Sequence, residues 1–379
     1  MNQERLKYQS LAFSKHTPTA FIIESPFQLL CAWNAIADFE IADYRIVLVL
    51  ERNNIRNKQV FDMLQSRSMA YDVCYTNEYK WIDIIKGKIP KRDVLYDRVM
   101  IGEILDFAQL AVASLYSSTD SVAVYMDDGA ATIRVFTGHS FNQSKIVATI
   151  KSLIKRQPKN SAQQGIYQYW SSIGLHDFGF FYTIYSDIPT RKYITYPNTF
   201  DKLYTAQKKS TQEKAVLIIG ALTDDYIKVI NISLGEYEEI LSNKLSELRQ
   251  KHTDARIIYI PHGRDNNTAI PKICEALYIE YVRPNTTIEL YALNAGMEIT
   301  HIYGFNSTAH YTLKLITGAQ VTQWLLMNKL TPAWYSISEI TSYYKKHGIV
   351  IDKIPYPKPT CKQWLGYYMA RIMNLLGHK

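Results

Sequence analysis

Val122-Ala123-Val124-Tyr125-Met126-Asp127-Asp128-Gly129 is a short apolar run that ends in two carboxylates and a glycine. β-branched, small and aromatic residues in succession fit a buried strand. Asp-Asp-Gly is turn chemistry, because Asp bonds nearby backbone and Gly accepts a positive φ. In an open α/β sheet, ligands bind outside the carboxyl ends of the strands. Asp127 and Asp128 therefore stand where chemistry is done, with a simple capped turn as the alternative reading.

The same pattern continues on both sides. Strands are expected at 19–23, 44–50, 70–75 and 97–101, the last ending at Gly102-Glu103, with helices at 29–36, 57–64 and 107–116. Ser25 is the N-cap and Pro26 the first helical residue of the first of these helices. Alternation at this spacing predicts a parallel sheet with right-handed crossovers. From 137 to 186 the pattern loosens around a basic run of Lys145, Lys151, Lys155, Arg156 and Lys159, which reads most simply as a solvated helix face. That region is the expected acceptor side, and 180–185 is a further strand. The polar stretch 189–213, with Pro189 and Pro197, holds the domain boundary.

The second half restarts the alternation. Strands are expected at 215–219, 256–260 and 299–303, with helices at 237–251, 272–277, after an N-cap at Asn285 or Thr286, and from Ala309. The expected fold class is α/β of GT-B type, two Rossmann-like domains with a cleft between them. The divisions are 1–195, a linker at 196–213, a donor domain at 214–355, and a carboxyl-terminal helix at 356–379.

At 379 residues the chain suits two domains, and 47% hydrophobic with 21% charged residues is a globular composition. A net charge of +8 points to an anionic partner. Cys31, Cys74, Cys274 and Cys361 form no CxxC pair, which argues against zinc or a disulfide framework and for a reducing cytosol. The first 19 residues have no apolar signal core, and no window approaches 18 uninterrupted apolar residues. A cytoplasmic location follows, peripheral on the inner membrane if the amphipathic stretch around Trp364, Leu365, Tyr368 and Ile372 lies on a bilayer; packing back across the domains is its other reading.

Three segments of the second half suit a nucleotide. Ser307 and Thr308 precede a helix, where N–H groups and the helix dipole favour an anion. His262 follows a strand and precedes Gly263, so its imidazole could neutralise or protonate a leaving phosphate. Glu289 could accept both hydroxyls of a ribose. Ordinary N-caps, a turn histidine and a first-turn glutamate are the plainer alternatives.

As an ordered set, Asp-Asp-Gly, His262, Glu289 and Ser307-Thr308 resemble the bacterial sialyltransferases of GT-B fold, which make lipooligosaccharide and capsule. That family shares an Asp/Glu-Asp-Gly motif, a His-Pro motif and a Ser/Thr pair near the phosphate. Glu24-Ser25-Pro26-Phe27-Gln28-Leu29-Leu30, Gly220-Ala221-Leu222-Thr223-Asp224-Asp225 and Gly304-Phe305-Asn306-Ser307-Thr308-Ala309 resemble its lipooligosaccharide group in particular, over about residues 20–320. The resemblance implies Asp128 as general base, Asp127 as its support, and His262 on the CMP phosphate. It further implies Glu289 on the ribose, Ser307 and Thr308 on phosphate oxygens, and Gly220, Leu222 and Thr223 beside the donor. One departure is Gly263, where the family usually has Pro.

The implied activity is inverting transfer of sialic acid or a related nonulosonic acid from its CMP donor to a surface-glycan hydroxyl, with no metal and no other cofactor. Readings from different classes remain: a transferase using a UDP- or GDP-sugar, or a non-catalytic basic protein binding glycan or anion. No RNP, zinc-finger or helix-turn-helix signature supports nucleic acid. Acceptor, linkage and oligomeric state are open.

Overall fold

The structure is a computed structural model that describes residues 2–52, 54, 56–85, 87–104, 106–137, 179–190, 193–204, 213–327 and 334–355. The chain divides into two compact units, one of Met1–Ala206 with Asn285–Thr287, the other of Gln207–Pro284 with Ile288–Lys379.

In the first unit the strands are β1 (Thr19–Ile23), β2 (Tyr44–Leu50), β3 (Tyr71–Tyr75), β4 (Tyr96–Ile101), β5 (Ser117–Tyr125), β6 (Gly179–Thr183) and β7 (Tyr193–Pro197). They lie in the order β3-β2-β1-β4-β5-β6-β7, and every neighbouring pair is parallel. In the second unit β8 (Lys214–Ile219), β9 (Arg256–Ile260), β10 (Glu280–Tyr281), β11 (Glu298–Phe305), β12 (Gln320–Leu325) and β13 (Val350–Lys353) take the order β10-β9-β8-β11-β12-β13, again all parallel. Each unit thus repeats the 3-2-1-4-5 succession of a Rossmann sheet. Two such units in one chain are the GT-B arrangement of elements.

The central strands are buried on both faces, as parallel strands are: β1 (Thr-Ala-Phe-Ile-Ile) is buried throughout, and in β8 only Lys214 is exposed. The helix Pro26–Asp38 begins as expected, with Ser25 accepting a hydrogen bond from the Gln28 N–H at 3.2 Å. The second unit's core gathers Trp324, Tyr237, Tyr259, Tyr303 and Phe305 beneath the apolar stripe Tyr237, Leu241, Leu245 and Leu248 of the helix Leu234–Lys251.

Several expectations shift. The strand expected at 299–303 runs on through Gly304 to Phe305. A Cβ on Gly304 would lie 2.4 Å from the Ile219 carbonyl of β8, so only glycine lets the two parallel strands close here. The helix expected to follow a cap at Asn285 or Thr286 starts at Ile288, directly after buried Thr287. Of the expected linker, 196–204 ends β7 and carries the helical turn Asp201–Tyr204, and 205–212 lie outside the described residues. So do 138–178, most of the expected acceptor side, and 356–379, the expected final helix.

The polar first residues form a helix, Asn2–Phe13, which sequence reading left unassigned. It is held by Arg98 of β4. Arg98 is fully buried and donates to the carbonyls of Ala12 and Ser14, each at 3.0 Å, and to the Thr19 hydroxyl at 2.9 Å, with its guanidinium 4.8 Å from the Phe39 ring centroid. No helix among the described residues is long and apolar enough to cross a membrane.

Candidate active site

In each sheet the order in which strands are added reverses at one point, between β1 and β4 in the first unit and between β8 and β11 in the second. The helices that follow these strands diverge there and leave room for a ligand at the carboxyl ends. The sequence-expected residues fall at or beside these two points.

In the first unit, Asp127 and Asp128 follow β5 after Met126, and Gly129 turns the chain at φ +64°. Asp127 is fully buried, and both of its oxygens are engaged. One accepts from the Thr183 hydroxyl at 2.6 Å and the other from the Ile184 N–H at 2.8 Å. It ties the end of β5 to the end of β6. Burial pushes its carboxyl up to about 7, while the bonds from Thr183, Ile184 and Thr132 pull the other way.

Asp128 is half-buried, and its Oδ1 accepts from Gln28 Nε2 at 2.9 Å. Gln28, in the first turn of the helix that follows β1, and Glu103, just past the end of β4, were given no role by sequence reading. Burial pushes the Glu103 carboxyl up to about 8, and the negative charges of Asp128, Glu24 and Asp106 add to it. Four strand-end or loop carboxylates thus act on the switch point of this unit. Among the described residues, no group of three or more His, Cys, Asp or Glu is placed to hold a metal ion.

These shifts give a signed pH dependence. A carboxyl that holds its proton more tightly folded than unfolded stabilises the fold at low pH and ceases to as pH rises through its folded value. Buried His310, pulled down to about 4 from 6.5 by burial, works in the opposite sense, but on the second unit and only below 6.5. From 6.5 upward Asp127 and then Glu103 dominate, so the melting midpoint of the first unit falls as pH rises through about 7 and about 8. Asp127→Asn flattens the earlier part of that fall. A melting series that rises over this window contradicts the assignment.

In the second unit, the loop after β8 holds Gly220, Leu222 and Thr223, and that after β11 holds Ser307 and Thr308, so the two loops flank the switch point. A Cβ on Gly220 would meet the Tyr259 hydroxyl at 2.5 Å and the Pro261 Cα at 3.0 Å. The glycine is thus set first by its neighbours on β9. Thr223 opens the helix Thr223–Ile230. Ser307 Oγ accepts from the Ala309 N–H at 3.3 Å, and Thr308, exposed, is the N-cap of the helix Ala309–Thr317 without a side-chain bond of its own.

His262, half-buried, follows β9. Its Nδ1 accepts from the Arg264 N–H at 3.3 Å, so a neutral ring carries its proton on Nε2. Gly263 does not leave this turn loose. Asp265, buried, donates its N–H to the His262 carbonyl at 2.8 Å and accepts from the Thr223 N–H at 3.1 Å, tying the β9 and β8 loops together. Arg283 donates to the carbonyls of Gly263 and Asp265, at 3.3 and 2.6 Å. Glu289 is buried and accepts from the Thr312 hydroxyl at 2.8 Å, so it is tied to the helix that Ser307 and Thr308 introduce. The structure therefore assembles the expected residues in two groups: Asp127 and Asp128 in one unit, and His262, Gly220, Leu222, Thr223, Glu289, Ser307 and Thr308 around one sheet end of the other.

No protein-family model matches the chain, and no curated protein matches it. Solved structures do share its chain course at low identity. A Photobacterium 2,6-sialyltransferase in complex with CMP and lactose is 10% identical, over 88% of this chain and 78% of its own, with a TM-score of 0.48. The UDP-GlcNAc 2-epimerase of Neisseria meningitidis is 13% identical, over 87% and 93%, with a TM-score of 0.42. MurG of Acinetobacter baumannii is 8% identical, over 89% and 85%, with a TM-score of 0.40. Glycosyltransferases and sugar-nucleotide epimerases stand side by side in this company, and nothing about the donor follows from it.

Proposed function

We propose that this protein is a glycosyltransferase that moves sialic acid or a related nonulosonic acid from its CMP donor to a glycan hydroxyl, with inversion. The observation that carries the reading is Asp128, a half-buried carboxylate at a strand end with a fixed hydrogen-bond donor behind it. A base in that setting takes the proton from the acceptor hydroxyl as the oxygen attacks the anomeric carbon. The bond from that carbon to the phosphate oxygen breaks, and CMP leaves.

The second unit supplies groups suited to holding the donor. Ser307 and Thr308 offer hydroxyls and helix-end N–H groups to phosphate oxygens. His262, with Nε2 as its proton-bearing nitrogen, offers a donor to the leaving phosphate. Glu289, held by the Thr312 hydroxyl beside the helix that Ser307 and Thr308 introduce, is the carboxylate assigned to the ribose. A single phosphodiester and a sugar carboxylate call for such donors more than for a divalent metal, so the reaction is assigned without one. A cytoplasmic site of action, facing the inner membrane where acceptors are assembled, belongs to the same proposal.

Thermal melting with CMP, CMP-sialic acid, UDP and GDP in the presence of EDTA tests this reading. A ligand that binds only the native state raises the midpoint increasingly as its concentration exceeds its Kd. CMP and CMP-sialic acid are expected to stabilise, and EDTA to change nothing. Stabilisation by UDP or GDP instead replaces the donor assignment with a UDP- or GDP-sugar. No shift with any nucleotide overturns the transferase reading.

A further inference from the structure

Gln28 is unusual among the residues around Asp128 because it is fully buried and has both ends of its amide engaged. Its Oε1 accepts from the Glu24 N–H at 2.8 Å, and its Nε2 donates to Asp128 Oδ1 at 2.9 Å. Only one orientation of the amide satisfies both partners, since an N–H needs an acceptor and a carboxylate needs a donor. Its own backbone is pinned as well, by the bond from its N–H to the Ser25 cap. The space it occupies exists because residue 102 is glycine: a Cβ there would lie 2.1 Å from Gln28 Oε1 and 2.3 Å from Cδ.

The next residue, Glu103, is brought to the same place by the sheet. β4 pairs in parallel with β5, Ile101 beside Tyr125, so that Glu103 and the Asp127-Asp128 pair leave neighbouring strands at one level. The register sets Glu103 beside the Asp127-Asp128 pair, and the Asp128 carboxyl helps the Glu103 carboxyl hold its proton. The charged groups that act on Glu103 from the surrounding elements are Asp128 after β5, Glu24 after β1, and Asp106 in its own loop. All three are carboxylates. Asp127, on the far side of Asp128, is turned away toward Thr183 and Ile184. Two neighbouring carboxyls, one of them buried and with further negative charge around them, resist ionising together.

We propose that Gln28 is a positioning residue for Asp128, and that Asp128 shares a single proton with Glu103. The proposal rests on the reading of Asp128 as the base. In the working form Glu103 carries the proton, Asp128 is ionised, and Gln28, holding Oδ1, fixes the orientation in which the carboxylate meets the acceptor hydroxyl. The acceptor's proton then joins a pair that already holds one, and leaves to solvent after transfer. Gly102 is the position that makes this arrangement compatible with the sheet.

Carboxyl-carbon NMR titration of the full chain, across about pH 4 to 10, tests the pair without relying on activity. In the wild type the Glu103 signal is expected to titrate at about 8. In Asp128→Asn it moves down toward the ordinary carboxyl range. A Glu103 signal that titrates in the ordinary range in the wild type, or that ignores Asp128→Asn, overturns the shared proton. The same proteins assayed for transfer from CMP-sialic acid should show kcat/KM falling above about pH 8 in the wild type, with that limb absent in Glu103→Gln. Inactivity of the wild type on every nucleotide-sugar donor would defeat the base reading while the NMR result stood by itself.

Positioning is read separately. Gln28→Met keeps the volume and loses the donor, so kcat should fall roughly 10- to 100-fold, with donor KM within about twofold. The acidic limb of the pH profile should rise, because a hydrogen bond to a carboxylate favours its ionised form. Gly102→Ala, which displaces the same amide, should reproduce both effects. A folded Gln28→Met protein with unchanged kcat and an unmoved acidic limb overturns the positioning role.

Discussion

Asp128→Ala is expected to lower transfer by about 10²–10⁴-fold, the usual contribution of a positioned acid or base. The reacting carboxylate disappears, while the scaffold that presents it remains. Asp127 still ties β5 to β6, Gly129 still turns the chain, and Gln28 keeps its bond to the Glu24 N–H. The donor-side residues belong to the other unit, so the melting shift given by CMP should be nearly that of the wild type. The two readouts separate chemistry from binding. A fully active Asp128→Ala protein would sink the mechanism. Loss of the CMP shift together with activity would mean that Asp128 acts on the fold.

The largest expected effect on stability is at Trp324. It is among the largest fully enclosed side chains, 2% exposed. Its ring stacks on Tyr303 at 6.2 Å between centroids and meets Phe305 edge-on at 5.3 Å. Truncating a buried aromatic to alanine removes its transfer free energy and leaves a cavity, at a cost of about 3–5 kcal/mol. Phe305 is the last residue of β11, immediately before Asn306, Ser307 and Thr308. Trp324→Ala should therefore also weaken CMP stabilisation of whatever folded protein remains. Chemical denaturation gives the stability change, and a loss under about 1 kcal/mol would contradict this description of the core.

Much of the architecture is legible in the sequence because parallel strands buried on both faces read as unbroken apolar runs. The runs at 19–23, 44–50, 122–126, 215–219 and 256–260 fall within observed strands or extend one residue past them. Asp127-Asp128-Gly129 stood out for the same reason, as an abrupt polar end to such a run. Strand order is not written in this way. Gln28 and Asp128 are 100 positions apart and meet only because β1 pairs with β4, and β4 with β5. Their signal existed after each strand, with Gln28 in the first turn of the helix after β1 and Gly102-Glu103 just past β4, but nothing local links them. Asp265 was missed for a similar reason, since its partner Thr223 sits on another loop. The extension of β11 through Gly304 was hidden because a glycine reads as punctuation, whereas here it answers the neighbouring Ile219 carbonyl.

The helix Asn2–Phe13 has little apolar patterning, and locally its carboxyl end has the Ser14 hydroxyl, which donates to the Leu11 carbonyl at 3.1 Å. The last carbonyls of any helix lack partners within it and carry the negative pole of its dipole. Arg98 supplies both needs at once, giving the carbonyls of Ala12 and Ser14 two N–H donors and a positive charge; burial pulls the guanidinium down to about 10, which leaves it charged at neutral pH. Its partner at Ala12 lies 86 positions earlier. During synthesis this helix leaves the ribosome before the fourth strand and must therefore wait for Arg98 before these carbonyls are closed. It is made early and finished late.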